Sequence, residues 1–392
     1  MTDDAAEYLL TARRVVIKIG SSLLVDQDTG ALKADWLASL ADDVAALKRA
    51  GKDVAIVSSG SIALGRPRLG MTRAWLKLEE KQAAAAVGQA MLVNAYDTEL
   101  ARHDITSAQV LVTLAATENR RQYLNARSTL ATLFKMGVVP VINENDTVAT
   151  EEIRYGDNDR LAARVAQMIS ADCLVLLSDV SGLYTADPGV DPNAELVPVV
   201  GRLTDGVFAM AGASRSGVGS GGMTTKLMAA EIALGAGCHM AITDGRVQNP
   251  VKQLLKDGTC TWFVAEGTPR TARKQWIAAT LEPSGSLVLD DGAVRALAGG
   301  KSLLPAGVKS VDGEFDRGEA VWIRDPAGRA LARGLVAYSA RDARRIAGFK
   351  SGEIENILGY RGRDEIVHRD DLVLVGTDQN VSEDSVKEGA GA

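Results

Sequence analysis

Two lysines stand where an ammonium could meet phosphate oxygens. Lys18 lies near the end of the apolar run Val15-Val16-Ile17-Lys18-Ile19, directly before Gly20-Ser21-Ser22. A lysine in such a strand is costly unless its charge meets an anion or water. The turn beside it supplies backbone N–H groups that suit phosphate oxygens together with the ammonium; a snorkelling edge lysine is the plain alternative. Lys226 closes Gly219-Ser220-Gly221-Gly222-Met223-Thr224-Thr225-Lys226, a glycine-rich segment running into a helix with Leu227, Ala230 and Leu234 on one face. A helix N-terminus after glycines offers free N–H groups and the positive end of the dipole to an anion. The competing reading is a flexible loop ending in a solvated lysine.

Polar clusters lie between these lysines. Asn143-Glu144-Asn145-Asp146 follows a strand, and Gly156-Asp157-Asn158-Asp159 opens a helix carrying Leu161, Val165 and Met168. Asp157 or Asn158 can serve simply as a helix cap, but that leaves the other amides and acids unexplained. Such side chains could hold a ligand's ammonium and carboxylate, while an acid could orient the lysines. Val57-Ser58-Ser59-Gly60-Ser61 repeats the strand–Ser–Gly arrangement, either as a tight turn or as one that touches ligand. Together these elements describe phosphoryl transfer without a P-loop. Gly217-x-Gly219-x-x-Gly222 matches the dinucleotide fingerprint formally, yet no strand immediately precedes it. Gly300-Lys301-Ser302 is no Walker A motif, because Arg295 stands where its upstream glycine belongs.

These residues need elements to position them. Strands are predicted over 14–19, 53–58, 108–113, 138–142, 173–177 and 239–243. Helices are predicted between most of them, over 81–101, 126–136, 159–170 and 224–236, and another carries Leu37, Leu40, Val44 and Leu47 on one stripe. This β-α-β order with nearly continuous apolar strands predicts an α/β fold, a mostly parallel sheet sandwiched by helices. Ligands in such sheets bind outside the strands' carboxyl ends, where the Gly/Ser/Asn/Asp clusters fall.

The pattern changes near Glu282-Pro283. Short strand-like runs follow at 286–289, 320–323, 330–338, 365–367 and 372–375. Turn signals separate them at Asp290-Asp291-Gly292, Asp312-Gly313 and Asp325-Pro326-Ala327-Gly328, which predicts a small β-rich domain. The polar tail from Thr377 is expected to be disordered.

The 392 residues favour two domains, and 46% hydrophobic with 24% charged residues is ordinary globular material. A net charge of −6 offers no global field for nucleic acid or anionic membrane, so an anionic ligand must be held by local donors. Acidic residues outnumber basic ones beyond Pro283. Nucleic acid is therefore not expected as a partner, and Arg341, Arg344, Arg345 and Lys350 read as a solvated helix face. Cys173, Cys238 and Cys260 lie far apart without a CxxC pair, and only three histidines occur, so no zinc set assembles. Buried free thiols in a reducing cytosol are expected. No secretory signal and no run long enough to span a bilayer is seen, so a soluble, cytoplasmic protein is expected.

The motifs, taken together, resemble those of the amino-acid kinase family and, within it, the glutamate 5-kinases. They are Val16-Ile17-Lys18-Ile19-Gly20-Ser21-Ser22, Ser58-Ser59-Gly60-Ser61-Ile62-Ala63, Asn143-Glu144-Asn145-Asp146, Gly156-Asp157-Asn158-Asp159, Ser178-Asp179 and Gly221-Gly222-Met223-x-x-Lys226. The resemblance covers a kinase domain over residues 12–268, and 283–376 resembles a PUA domain, leaving 377–392 as tail. It implies that Lys18 and Lys226 contact the ATP phosphates and that Asp159 holds both lysines. It further implies that Gly20, Ser178, Asp179 and the loop Gly219, Ser220, Gly221, Gly222, Met223, Thr224, Thr225 and Lys226 contact nucleotide. Ser59, Gly60, Asp146 and Asn158 would bind L-glutamate, with Mg²⁺ accompanying ATP and no residue singled out as a direct metal ligand. Proline feedback, a homo-oligomer and hand-over to a downstream glutamyl-phosphate reductase are also implied. Ser61 and Leu64 stand where alanines are common in the family, and Thr224 varies its glycine-loop motif. Sister kinases acting on aspartate, N-acetylglutamate, UMP or carbamate are the nearest alternatives, and an RNA-binding role through the PUA-like domain is the alternative from another class.

Overall fold

The apolar runs of the first two-thirds become the middle of one sheet. The computed structural model describes residues 3–73, 75–149, 157–212, 222–257, 259–280 and 282–375. The chain divides into two units, Met1–Ala272 and Arg273–Ala392.

The first unit starts with α1 (Asp3–Thr11), β1 (Arg14–Ile19), α2 (Ser21–Leu24), α3 (Ala34–Arg49) and β2 (Asp53–Ser58). Next come α4 (Ser61–Arg68), α5 (Leu78–Ala101), β3 (Ser107–Val112), α6 (Leu114–Glu118), α7 (Arg120–Lys135) and β4 (Val139–Glu144). The run continues with α8 (Asp157–Ile169), β5 (Cys173–Ser178), β6 (Val199–Val200), α9 (Asp205–Met210) and α10 (Met223–Gly235). It closes with β7 (His239–Asp244), α11 (Pro250–Asp257), β8 (Cys260–Phe263) and α12 (Pro269–Thr280), within which the division falls.

The strand order is β3-β4-β2-β1-β5-β7-β8-β6, parallel from β3 through β7. β8 runs antiparallel to β7, with β6 on its far side. Alternation along β1 assigns its side chains to two layers. Val15, Ile17 and Ile19 join Leu37 and Leu40 of α3, Leu92 and Tyr96 of α5, and Val251 and Leu254 of α11. Val16 faces the other way, among Leu161 and Val165 of α8 and Leu227 and Ala230 of α10. Lys18 shares the side of Val16 and so points toward the layer that supplies its partner.

Several sequence expectations shift. β1 and β2 keep their expected bounds, and α8 and α10 move by one or two residues. α7 begins at Arg120, six residues before the predicted start, because Asn119 caps it by accepting from Gln122 N at 3.1 Å. β8 was not predicted, its four-residue run being too short to register as alternation.

In the second unit, β9 (Gly285–Leu289), α13 (Asp291–Ala298), β10 (Val308–Gly313), β11 (Ala320–Arg324), β12 (Ala330–Val336), α14 (Ala340–Ile346), α15 (Ile354–Leu358) and β13 (Val367–Leu374) follow one another. Their sheet runs β10-β9-β11-β12-β13, with only β9 and β11 parallel. Asp312-Gly313, expected as a turn, instead pairs with β9. The two runs predicted at 365–367 and 372–375 merge into β13. Polar residues hide that continuity, and one of them, Asp371, is 4% exposed and bonded by Arg273 at 3.0 and 2.7 Å. Arg344 is tied to Glu314 at 2.8 Å and Arg345 donates to the Ile357 carbonyl, so these two arginines of the helix face expected to be solvated are engaged within their own unit. The segment expected as a tail lies outside the described residues.

Candidate active site

β1 lies between β2, to which the chain passes next, and β5, which the chain reaches only later from β4. The winding of the sheet therefore reverses beside β1, the place where such sheets bind ligands at the strands' carboxyl ends. Two poles form there. At the first, Lys18 Nζ lies 2.6 Å from Asp159 Oδ1 and Lys226 Nζ lies 3.2 Å from Asp159 Oδ2. One carboxylate thus holds two ammonium groups brought by β1 and α10 and offered by the first turn of α8. The three residues are 7%, 6% and 1% exposed, which leaves one net positive charge in a nearly dry setting. Burial works against the Asp159 carboxylate, but the ammonium groups of Lys18 and Lys226 outweigh it and hold its pKa below the ordinary 3.8. Thr225 Oγ1 adds a contact at 3.3 Å to Asp159 Oδ2 and donates to the Gly222 carbonyl at 2.9 Å. Gly222 starts α10, so Lys226 stands in the first turns at that helix's positive end. Gly20 follows β1 directly beside the ammonium, a Cβ there lying 3.9 Å from Lys18 Nζ. At the end of β5, Ser178 Oγ donates to Asp179 Oδ1 at 3.1 Å.

The second pole is built from amides and hydroxyls that end on one acid, Asp146. Asn158 Nδ2 donates to Ser59 Oγ at 2.6 Å and to Asn143 Oδ1 at 3.1 Å. Asn143 Nδ2 donates to Gln89 Oε1 at 2.8 Å and reaches Ser61 Oγ at 3.4 Å. Ser61 Oγ in turn donates to Asp146 Oδ2 at 3.2 Å. Gly60, with φ +111°, makes the left-handed turn that lets β2 pass from Ser59 into α4. Asn158 and Asp159 are consecutive in α8, so the two poles adjoin.

The structure therefore brings together Lys18, Asp159 and Lys226, and separately Ser59, Asn158 and Asp146. Gly20, Gly60, Ser178, Asp179, Gly222, Met223, Thr224 and Thr225 lie at the same strand ends and helix starts. Gly219, Ser220 and Gly221 lie outside the described residues, as does Gly156. Asn158 spends its side-chain N–H groups on Ser59 and Asn143. Gln89 escaped the sequence reading. Its only signal was its neighbour Gly88, a glycine inside an alanine-rich helix. A Cβ on Gly88 would sit 1.7 Å from the Ser61 carbonyl oxygen, and one on Gly65 would sit 1.9 Å from that of Ala84. α4 and α5 thus cross backbone to backbone.

The other reactive groups sit elsewhere. His103 is paired with Asp42, His239 accepts from Ala265 N, and His368 adjoins Asp370. The three thiols are free and buried, and burial raises the Cys260 pKa to about 12. Among the described residues, no group of three or more His, Cys, Asp or Glu side chains could hold a metal, and no helix is long and apolar enough to cross a membrane.

Comparison with known proteins agrees with a phosphotransferase site. Residues 13–244 match the model of the amino acid kinase family and 285–358 that of the PUA domain. The chain belongs to the amino acid kinase family. A glutamate 5-kinase from Paramagnetospirillum magneticum is 62% identical over 94% of this chain and 99% of its own length. One from Rhodopseudomonas palustris is 59% identical over 93% and 97%. A solved UMP kinase from Ureaplasma parvum aligns over 64% of this chain and 98% of its own, at 15% identity and a TM-score of 0.45.

Proposed function

We propose that this chain transfers the γ-phosphoryl group of ATP to the side-chain carboxylate of L-glutamate, giving glutamate 5-phosphate for proline biosynthesis. The observation that carries the reading is the sharing of one buried carboxylate by Lys18 and Lys226, beside a pocket of amides and acids. Full-length likeness to glutamate 5-kinases supports glutamate as the acceptor.

Glutamate's side chain, with an ordinary pKa of about 4.3, is already ionised at neutral pH. The nucleophile needs no general base, which suits a site to which no histidine is assigned. Repulsion between a carboxylate and a triphosphate opposes the reaction. Lys18 and Lys226 neutralise charge on the transferring group and the leaving oxygen, while Asp159 keeps their ammonium groups in place. The amides at the start of α10 take further phosphate oxygens, with the Gly219–Gly222 stretch, Ser178 and Asp179 around the nucleotide. Ser59, Gly60, Asn158 and Asp146 hold glutamate so that its carboxylate approaches in line.

Two lysines against one aspartate leave too little positive charge for a triphosphate and a carboxylate together. A Mg²⁺ carried on the nucleotide fits that shortfall better than one caged by protein, since no such cage occurs among the described residues. When bound, it would supply charge neutralisation on the phosphate oxygens. A homo-oligomer, a cytoplasmic location and feedback by proline follow from the resemblance to glutamate 5-kinases. Hand-over to a reductase is supported by the lability of an acyl phosphate.

The test is ADP release by the purified chain with glutamate as sole acceptor, with the product trapped by hydroxylamine as a hydroxamate. Release that requires aspartate, N-acetylglutamate, UMP or carbamate instead overturns the reading.

A further inference from the structure

We propose that Gln82 and Gln89 of α5 are positioning residues for the acceptor pocket, so that this helix sets the geometry of residues 143–149. The two glutamines are seven residues apart, two turns of helix, and so lie on one face. Gln89 Oε1 accepts from Asn143 Nδ2 at 2.8 Å, at the start of that segment. Gln82 Nε2 donates to the Ala149 carbonyl at 3.0 Å, at its end. The middle is tied to α4 through Ser61 Oγ and Asp146 Oδ2. Because Gly65 and Gly88 let α4 and α5 meet backbone to backbone, these three ties come from one closely packed pair of helices.

Gln89 also fixes the direction of two amides. Its Oε1 accepts from Asn143, which turns Nδ2 toward it. Asn143 Oδ1 then faces the Glu144 N–H at 2.9 Å and Asn158 Nδ2 at 3.1 Å. Asn158 is thereby turned with its N–H groups toward Asn143 and Ser59. Its Oδ1, buried without a partner among the described residues, remains an acceptor beside the pocket. Asn143 and Gln89 are only 2% and 8% exposed, so water does not readily replace either bond.

Resting on the glutamate reading above, the test uses the full chain and four variants: Gln89→Met, Asn143→Ala, their double, and Gln82→Met. Gln89→Met raises the glutamate KM roughly five- to tenfold, the scale of one lost buried hydrogen bond, and leaves the ATP KM alone. The double variant raises it no further than Asn143→Ala does, because the glutamine acts through that amide. Gln82→Met gives a smaller rise of roughly two- to threefold. A loss of kcat with the glutamate KM unchanged would reduce Gln89 to packing, and additive effects in the double would break the relay. Should Gln89→Met not fold, an unchanged glutamate KM in Gln82→Met overturns the proposal and a selective rise sustains it. If wild type phosphorylates another acceptor instead, the proposed function falls, while the same KM split measured with that acceptor still decides the role of α5.

Discussion

The two poles of the site are built on opposite principles. Lys18, Asp159 and Lys226 are ionised, come from three elements and are held by mutual charge. Ser59, Asn158, Asn143, Gln89 and Ser61 are neutral and held by directed hydrogen bonds. Charge acts over distance and tolerates small changes in approach, which suits a flexible triphosphate. Amides specify direction, which suits selecting one small acceptor among close analogues.

The contrast predicts different failures. Asp159→Ala should be the most damaging change, since it leaves two ammonium groups buried together. A loss of about 3–5 kcal/mol in urea unfolding is expected, and a loss below about 1 kcal/mol would show the charged pole to be held by something else. Lys18→Ala and Lys226→Ala should each lower kcat by at least ~10²-fold, the scale of one preorganised donor; near-normal turnover removes that lysine from the chemistry. Asp146→Ala should act on the other pole, raising the glutamate KM roughly tenfold or more. If the ATP KM rises instead, the division into poles is wrong.

The smallest effect is on acid stability. Asp159 has its folded pKa below the ordinary 3.8. Between the two values the unfolded chain binds a proton that the folded chain does not, so stability rises with pH there. The contribution is complete above 3.8 and is lost as pH falls toward the depressed value. Asp159→Asn should flatten that acid-side slope in unfolding midpoints measured across the window, and an unchanged slope would assign it to other carboxylates.

The charged pole was more legible in the sequence than the hydrogen-bonded one. A lysine inside Val15-Val16-Ile17-Lys18-Ile19 breaks an apolar pattern, and a break of that kind is visible without a fold. Lys226 announced itself through glycines. Their convergence on Asp159 needed the sheet order, which places β1 beside β5 with α8 and α10 over one face. Gln89 breaks no pattern, because α5 buries one face through Ala84, Ala85, Gly88, Gln89, Leu92, Tyr96 and Leu100 while Ala83, Ala86 and Ala90 are exposed, so alanine on both sides hides the stripe in the sequence. Its importance arises only from what lies across from it. In the same way β13 was split in the reading because Asp371 looks like a turn residue until Arg273 is seen to bury with it.

Lys18 also polices the assembly of its own sheet. A strand buried on both faces, with Val15, Val16, Ile17 and Ile19 nearly interchangeable in character, has little to prevent a slip of one position against its neighbours. Such a slip would turn the ammonium into the layer of Leu37, Leu92 and Tyr96, where an unpaired charge is strongly disfavoured. The lysine would thus act as an alignment pin, making a mispaired β1 costly wherever its ammonium lacks Asp159.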